Sequence, residues 1–239
     1  MPQQARSRRI ALVGDFHGNW PATQALETDL KRRGADEIIC MGDMVGKGPD
    51  SDKTFDWAMA NCSVQLMGNW DGGISEKAFP MDEPYYRQLG DKRLAVLRAL
   101  PLEHHFTLSG QRVRLLHGRP VMPELLTVRS DPDALRALFT VGDESFRVVG
   151  YADAHRQSLL TLDRGWLFNT GSVGNNLGVP RVCYALLDGF DSDEEAPLDI
   201  TLCHLPYDRQ AAIARCEGSD VARIDTFVNE LETGIYSRG

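Results

Sequence analysis

"IALVGDFHGN", residues 10–19, is the stretch that decides the fold. Its apolar run Ile10–Val13 predicts a short buried strand, which a Gly-Asp pair ends in a polar turn. Residues 20–33 then carry apolar side chains at helical spacing, and Gly34 stands where a helix would end. A strand that passes through a glycine turn into a helix is typical of a βαβ unit, so we expect a parallel sheet.

The same pattern recurs in the next thirty residues. Glu37–Met41 is a second apolar run that ends in Gly-Asp, residues 51–60 are predicted to be helical, and Ser63–Met67 is a third strand ending in Gly68-Asn69. In a parallel sheet the carboxyl ends of the strands share one edge, and ligands bind there. We therefore expect these polar turns to lie close together.

The rest of the chain is less regular and predicts a second sheet followed by a helical tail. Residues 72–84 are expected to form a loop, and residues 85–100 and 131–140 to form helices. Val113–Leu116 is expected to be a strand that leads into His117. Because only turns separate some of the strands that follow, we expect an antiparallel second sheet built from strands near 145–149, 158–162, 165–169, 182–187 and 197–203. We predict one domain over residues 1–239, with a core of about 9–204 and a two-helix tail at 207–235.

Composition limits the classes of protein that fit. The 239 residues are 42% hydrophobic and 25% charged, as in ordinary globular proteins, and the net charge of −8 argues against nucleic acid or an anionic membrane as partner. No apolar run approaches the roughly 18 residues of a membrane span, and the one near the start is too short for a signal peptide. The five cysteines are scattered without a CxxC pair, which favours free thiols and a cytoplasmic location. The sequence is compatible with a homo-oligomer.

The predicted strand ends share one chemistry. They carry carboxylate, amide and imidazole groups without a thiolate: Asp15, His17, Asp43, Asn69, His117, Asp153 and His155. This donor set suits Mn²⁺, Fe or Zn²⁺, and two such ions that share a carboxylate can bind a phosphoester and lower the pKa of a water between them. Asp and Asn also favour such turns because they cap helices, but capping explains one turn and not an ordered series.

Five segments resemble, in order and spacing, the calcineurin-like metallophosphoesterases, and in particular their small bacterial branch of YfcE-type phosphodiesterases. They are "VGDFHGN" (13–19), "MGDMVGKGP" (41–49), "MGNWD" (67–71), "LLHGRP" (115–120) and "NTGSVGNNLGVPR" (169–181). The resemblance implies an α/β fold, a four-layer α/β/β/α sandwich of two mixed sheets flanked by helices. It also implies a small phosphorylated substrate and two divalent transition metal ions, Mn, Fe, Zn or Ni, with Mn expected in vitro.

The resemblance also implies roles for single residues. Asp15 and His17 would hold the first metal, Asp43 would bridge both, and Asn69 and His117 would hold the second.

The family's last motif, Gly-His-x-His, is altered in this chain. His155 matches its second histidine, a ligand of the first metal, whereas Asp153 stands at the first histidine and would be a ligand of the second. If Gly150-Tyr151 is instead the displaced start of the motif, Asp153 faces solvent.

The turn "GNWD" departs from the family as well. Asn69 and Asp71 keep their catalytic positions, but Trp70 replaces the histidine that acts near the leaving group. An indole N–H cannot give up a proton near neutral pH, and general acid help is typically worth ~10²–10⁴-fold, so we expect attenuated catalysis. Trp70 could instead pack over the pocket or stack on a base or sugar. Arg181 is either a phosphate contact or an ordinary loop arginine.

These features predict a metal-dependent phosphoesterase that hydrolyses a phosphodiester or phosphomonoester with a hydroxide bridging two metals. One alternative is a binding or scaffold protein of the same fold with little or no catalysis. Another is a hydrolase of nucleotides, such as dinucleoside polyphosphates or cyclic nucleotides.

Overall fold

A computed structural model describes residues 6–237, and two mixed five-stranded sheets form its centre. In the first sheet, the parallel strands β1, β2 and β3 follow one another, and two antiparallel strands extend the sheet beyond β1. Its strands are β1 (Ser7–Val13), β2 (Glu37–Cys40), β3 (Val64–Gln65), β11 (Val182–Phe190) and β12 (Asp199–Leu205).

The second half of strand β1, Ile10–Val13, is buried on both faces, which explains why its sequence is a continuous apolar run. Ala11 and Val13 belong to the apolar cluster under the helices, whereas Ile10 and Leu12 belong to the cluster between the two sheets. The alternation of side chains along a strand therefore sets β1 between two layers.

The second sheet contains a parallel centre with antiparallel edges. Its order is β4-β5-β8-β10-β9, in which β5, β8 and β10 run parallel. Its strands are β4 (Glu103–Leu108), β5 (Gln111–Leu116), β8 (Val148–Tyr151), β9 (Ser158–Leu162) and β10 (Gly165–Asn169), and a separate pair comprises β6 (Thr140–Val141) and β7 (Glu144–Ser145).

The prediction of a wholly antiparallel second sheet was wrong. Strands β11 and β12 join the first sheet, because β11 pairs with β1 along Ser7–Leu12. Short connections show which strands follow one another, but pairing between distant segments decides which sheet they enter.

Within residues 6–237 seven α-helices flank the sheets, so the fold is the predicted layered α/β sandwich. They are α1 (Trp20–Arg33), α2 (Ser51–Asn61), α3 (Asn69–Ser75), α4 (Glu83–Arg98), α5 (Pro132–Ala137), α6 (Arg209–Ala214) and α7 (Ile224–Thr233). The Asn19 side chain caps α1 by accepting from the backbone N–H of Ala22, and Gly34 ends the helix at φ 65°. No helix within residues 6–237 is both long and apolar enough to cross a bilayer.

Residues 72–84 are not the predicted loop. Helix α3 begins at Asn69 and continues through Gly72 and Gly73 to Ser75, and a 3₁₀ turn at Pro80–Asp82 leads into α4. Two glycines are poor helix formers, but Asp71 accepts from the backbone N–H of Gly68 and stabilises the first turn. The segment therefore leads through a short helix to the wall of a cavity described below.

Candidate metal centre

The polar turns after β1, β2, β5 and β8 meet at one edge of the molecule. Two groups of buried side chains each place one ligand atom per residue within 4.8 Å of the others. The first group is Asp15, His17 and His155, and the second is Asp15, Asp43 and His117.

The first group converges on a carboxylate oxygen. Asp15 Oδ1 lies 3.3 Å from His155 Nε2 and 3.7 Å from His17 Nε2, and the two imidazole nitrogens are 3.1 Å apart. Three donor atoms that face one point are the arrangement that a cation requires.

Asp15 belongs to both groups, and Asp43, a member of the second, also lies close to a histidine of the first. Its Oδ2 is 3.4 Å from His117 Nε2 and 3.5 Å from His17 Nε2, while His117 Nε2 is 3.9 Å from Asp15 Oδ1. This position fits the predicted bridging carboxylate.

Backbone carbonyls fix the orientation of the three imidazoles. In each ring Nδ1 lies near a carbonyl oxygen: His17 at 3.3 Å from Val45, His117 at 2.8 Å from Met41, and His155 at 2.7 Å from Asn175. Because a carbonyl only accepts, Nδ1 carries the proton and Nε2 presents its lone pair to the centre.

Three buried polar atoms support the assignment of a cation site. Asp15 Oδ1, Asn69 Oδ1 and His117 Nε2 have no hydrogen-bond partner within the described part of the chain. Buried polar atoms are nearly always satisfied, and lone pairs that converge without donors fit a divalent ion. Burial lowers the pKa of His117, but the Asp43 and Asp15 carboxylates outweigh it and hold this pKa well above its usual value. The centre is therefore strongly anionic.

The backbone at the centre is strained. Five of the predicted ligands have left-handed φ angles, an uncommon conformation for residues other than glycine: Asp15 (54°), His17 (47°), Asp43 (52°), Asp153 (64°) and His155 (54°). Such conformations persist where surrounding contacts enforce them and are common at functional sites. Here Asp15 donates its N–H to Gly42 and accepts at its carbonyl from Ser172 Oγ, which ties three turns together.

Asp71 supports the turn that carries Asp43. Its two carboxylate oxygens accept backbone N–H groups at 2.7 Å (Asp43), 3.0 Å (Gly68 and Met44) and 3.4 Å (Val45). The side chain is fully buried, and burial, followed by the charge of Asp43, raises its pKa to about 7. Asp71 therefore holds the backbone in place and does not face the cleft.

Trp70 contacts the centre at two points. Its backbone N–H donates to Asp43 Oδ1 at 2.8 Å, and its indole lies edge-on to the His17 ring, with centroids 5.9 Å apart. A Cβ on Gly46 would lie 2.3 Å from the indole, so only glycine allows the ring to pack there. Trp70 thus occupies the position of the family histidine as a packed wall.

Asp153 reaches the centre and Tyr151 does not. Tyr151 is buried in the apolar cluster with Leu116 and Val149. The backbone N–H of Asp153 donates to Asp15 Oδ2 at 3.2 Å, and its carboxylate forms a two-point ion pair with Arg119. Burial raises the pKa of Asp153, but Arg119 outweighs it and the pKa is lowered. The alternative register, in which Asp153 faces solvent, was wrong.

A cleft of about 450 Å³ opens onto the centre. Asp43, Asn69, Trp70 and His155 line it, and so do three basic residues that the sequence reasoning did not select: Lys47, Arg119 and Arg156. Lys47 is buried and donates from Nζ to Asn175 Oδ1 at 2.9 Å. The available signal was that Lys47 and Arg119 lie inside the strand-end motifs "MGDMVGKGP" and "LLHGRP".

Arg181 lies outside the cleft. It is exposed and borders a separate surface groove with Tyr207 and Arg209. Its motif folds back so that Asn175 reaches the centre while Arg181 does not line the cleft. The structure therefore does not support the predicted phosphate contact.

A second cavity of about 420 Å³ adjoins the cleft. Ile74, Phe79 and Met81 line it, and it shares Asn69, Trp70 and Tyr236 with the cleft. Phe79, Met81 and Tyr236 are each more than half exposed, which is unusual for large apolar side chains that lie together.

The fold and the centre together define an α/β sandwich with a candidate site for divalent metals at the ends of its parallel strands. The model of the calcineurin-like phosphoesterase superfamily domain matches residues 9–191, so the chain belongs to this superfamily, as its motifs predicted.

Several known proteins are similar to this chain. The chain is 26% identical over 227 residues to the uncharacterized protein MJ0912 of Methanocaldococcus jannaschii, covering 85% of this chain and 89% of that one. It is 24% identical over 194 residues to the phosphodiesterase YfcE of Escherichia coli, covering 75% and 87%. The crystal structure of a metallophosphoesterase from Sphaerobacter thermophilus superposes with a TM-score of 0.73 at 20% identity, covering 96% of this chain and all of that one.

Proposed function

We propose that this protein is a metal-dependent phosphoesterase that hydrolyses a phosphodiester or phosphomonoester of a small molecule. The convergence of buried, unsatisfied ligand atoms beside a cleft with three cations carries the proposal. Asp15, His17 and His155 would hold one divalent ion, and Asn69 and His117 a second, with Asp43 between them. When bound, such ions polarise a phosphoryl oxygen and lower the pKa of water.

Three basic residues of the cleft would bind the phosphoryl group of the substrate. Lys47, Arg119 and Arg156 line the cleft beside an anionic centre, where they can neutralise the charge of a phosphoryl group. Nitrogen and oxygen ligands without a thiolate suit Mn, Fe or Zn, and we propose Mn²⁺ for assays. The five cysteines are buried and free, which supports a cytoplasmic location as part of this proposal.

The aromatic side chains Trp70, Phe79 and Tyr236 in the lining of the second cavity favour a substrate with a planar organic group. Trp70 lines both the cavity and the cleft, so a substrate whose phosphoryl group lies in the cleft could extend along the indole into the cavity. A nucleotide has both parts, so the cavity is the observation that favours nucleotide hydrolysis as a second candidate.

The decisive experiment measures metal content and turnover together. Protein stripped with a chelator and reloaded with Mn²⁺ is expected to bind the metal and to hydrolyse bis(p-nitrophenyl) phosphate or p-nitrophenyl phosphate, and chelation should reverse both. Elemental analysis and release of p-nitrophenolate are the measurements. Protein that retains no transition metal and shows no turnover would instead support the binding or scaffold alternative.

Restoring the family histidine should change the dependence on the leaving group. For Trp70→His we expect hydrolysis of an alkyl ester, a poor leaving group, to rise at least about tenfold, since general acid catalysis is typically worth ~10²–10⁴-fold. Release of p-nitrophenolate should change little, because it leaves without protonation. The measurement is kcat/KM for both esters, with Trp166→His, on β10, as the control. Equal effects on both esters would contradict this role of Trp70.

A further inference from the structure

Asp153 and Arg119 form the most complete ion pair at the centre. Arg119 Nη2 lies 2.7 Å from Asp153 Oδ1, and Arg119 Nε lies 2.8 Å from Oδ2. The backbone N–H of Arg119 also donates to Oδ2 at 3.1 Å. Both carboxylate oxygens are therefore occupied by one residue.

The backbone around this pair leaves little freedom. The Asp153 side chain is 2% exposed, and a Cβ on Gly118 would lie 2.7 Å from Asp153 Cβ. The loop that carries Arg119 therefore wraps closely over Asp153. A two-point pair in such surroundings is geometrically specific, and lysine could not reproduce it.

The ion pair with Arg119 limits the ability of Asp153 to act as a metal ligand. Asp153 belongs to neither group of converging ligand atoms, although its backbone lies against Asp15. The guanidinium also neutralises its charge, so the pair adds no net anionic charge to the position of the second metal. Asp43 and His117, whose ligand atoms do converge, would hold a metal at that position together with Asn69.

One side of the Arg119 guanidinium faces the cleft. Its side chain is 41% exposed and lines the cleft beside Asp43 and Asn69. Within residues 6–237 its side-chain bonds use Nε and Nη2, which leaves the N–H groups of Nη1 for a ligand. A guanidinium fixed on one side by a carboxylate is well suited to hold a phosphoryl oxygen on the other.

We propose that Asp153 anchors Arg119 and is not a metal ligand. Arg119 binds a phosphoryl oxygen of the substrate. Because Asp153 is not a ligand, the second metal is held more weakly than the first. The phosphoryl part rests on the proposed function. In this arrangement Asp153, which departs from the family pattern, holds a fixed organic cation in place of a metal ion.

The test compares Mn²⁺ and inorganic phosphate binding without turnover. For Asp153→Asn we expect Mn²⁺ stoichiometry to stay unchanged and both dissociation constants to stay within about threefold, because no ligand is lost. Phosphate binding to the Mn²⁺-loaded protein should weaken about tenfold or more, the cost of losing a charge-assisted contact. Calorimetry measures both, with Asp163→Asn, at the exposed Arg136–Asp163 pair, as the matched control.

Arg119→Lys provides the reciprocal change and keeps a positive charge. We expect weaker phosphate binding and tighter binding of the second Mn²⁺, because Asp153 is released toward the metal; Arg136→Lys is its control. Loss of the second Mn²⁺ in Asp153→Asn would show that Asp153 is a ligand and overturn the inference alone. Unchanged phosphate binding in both variants would also overturn it. Absence of Mn²⁺ from the wild-type protein would overturn the proposed function as well.

Discussion

Asp43→Asn is expected to lower Mn²⁺-dependent phosphoester hydrolysis by at least about 10³-fold, because metal ions supply several kcal/mol of stabilisation and each 1.4 kcal/mol is tenfold in rate. Asp43 belongs to the second ligand group, and its Oδ2 lies 3.4 Å from His117 Nε2 and 3.5 Å from His17 Nε2, one histidine of each group. An amide keeps the shape but removes the charge, so affinity for the ions should fall at both positions.

The measurement combines kcat/KM with metal content by elemental analysis. Asp91→Asn is the matched control, since the Asp91 side chain is 94% exposed and should leave both quantities unchanged. If Asp43→Asn retained the wild-type rate, the centre could not be the site of hydrolysis. If it lost metal while the wild-type protein also showed no turnover, the scaffold alternative would gain support.

Asp71→Ala is expected to lower the free energy of unfolding by about 3 kcal/mol or more, since a buried group left unsatisfied costs ~1–3 kcal/mol and four N–H groups lose their acceptor. These N–H groups belong to Asp43, Met44, Val45 and Gly68. The turn that carries Asp43 would lose its support, so metal affinity should fall as well.

Urea unfolding monitored by circular dichroism measures this effect. Asp163→Ala is the control because Asp163 is mostly exposed, and such substitutions change stability by about 0.5 kcal/mol or less. A loss below about 1 kcal/mol for Asp71→Ala would contradict the supporting role, since it would mean that water satisfies the four N–H groups.

Much of the fold could be predicted because its signals are local. The apolar runs at Ile10–Val13 and Glu37–Met41, each closed by Gly-Asp, identified β1 and β2 and the turns that follow them. The place of Val182–Phe190 could not be predicted in the same way. Its apolar run fits a buried strand in either sheet, and only pairing with β1 decides between them.

The residues of the candidate site were likewise predicted only in part. Residue type and order indicated Asp15, His17, Asp43, His117 and His155, and the structure brings all five together. The same reasoning did not select Lys47, because a lysine that becomes buried beside the site has no sequence pattern of its own. It favoured a catalytic position for Asp71, because no sequence pattern shows that a carboxylate will bind backbone N–H groups.

The sequence by itself determined the family, the strand-end turns and the donor set of the centre, because these depend on residue type and on spacing within short segments. Only the tertiary structure decided that Asp153 faces Arg119, that Arg181 lies outside the cleft and that Trp70 lines both the cleft and the adjoining cavity. The physical reason is that a charged side chain takes the partner that the packed backbone brings within hydrogen-bonding distance. That distance is set by the pairing of strands far apart in the chain.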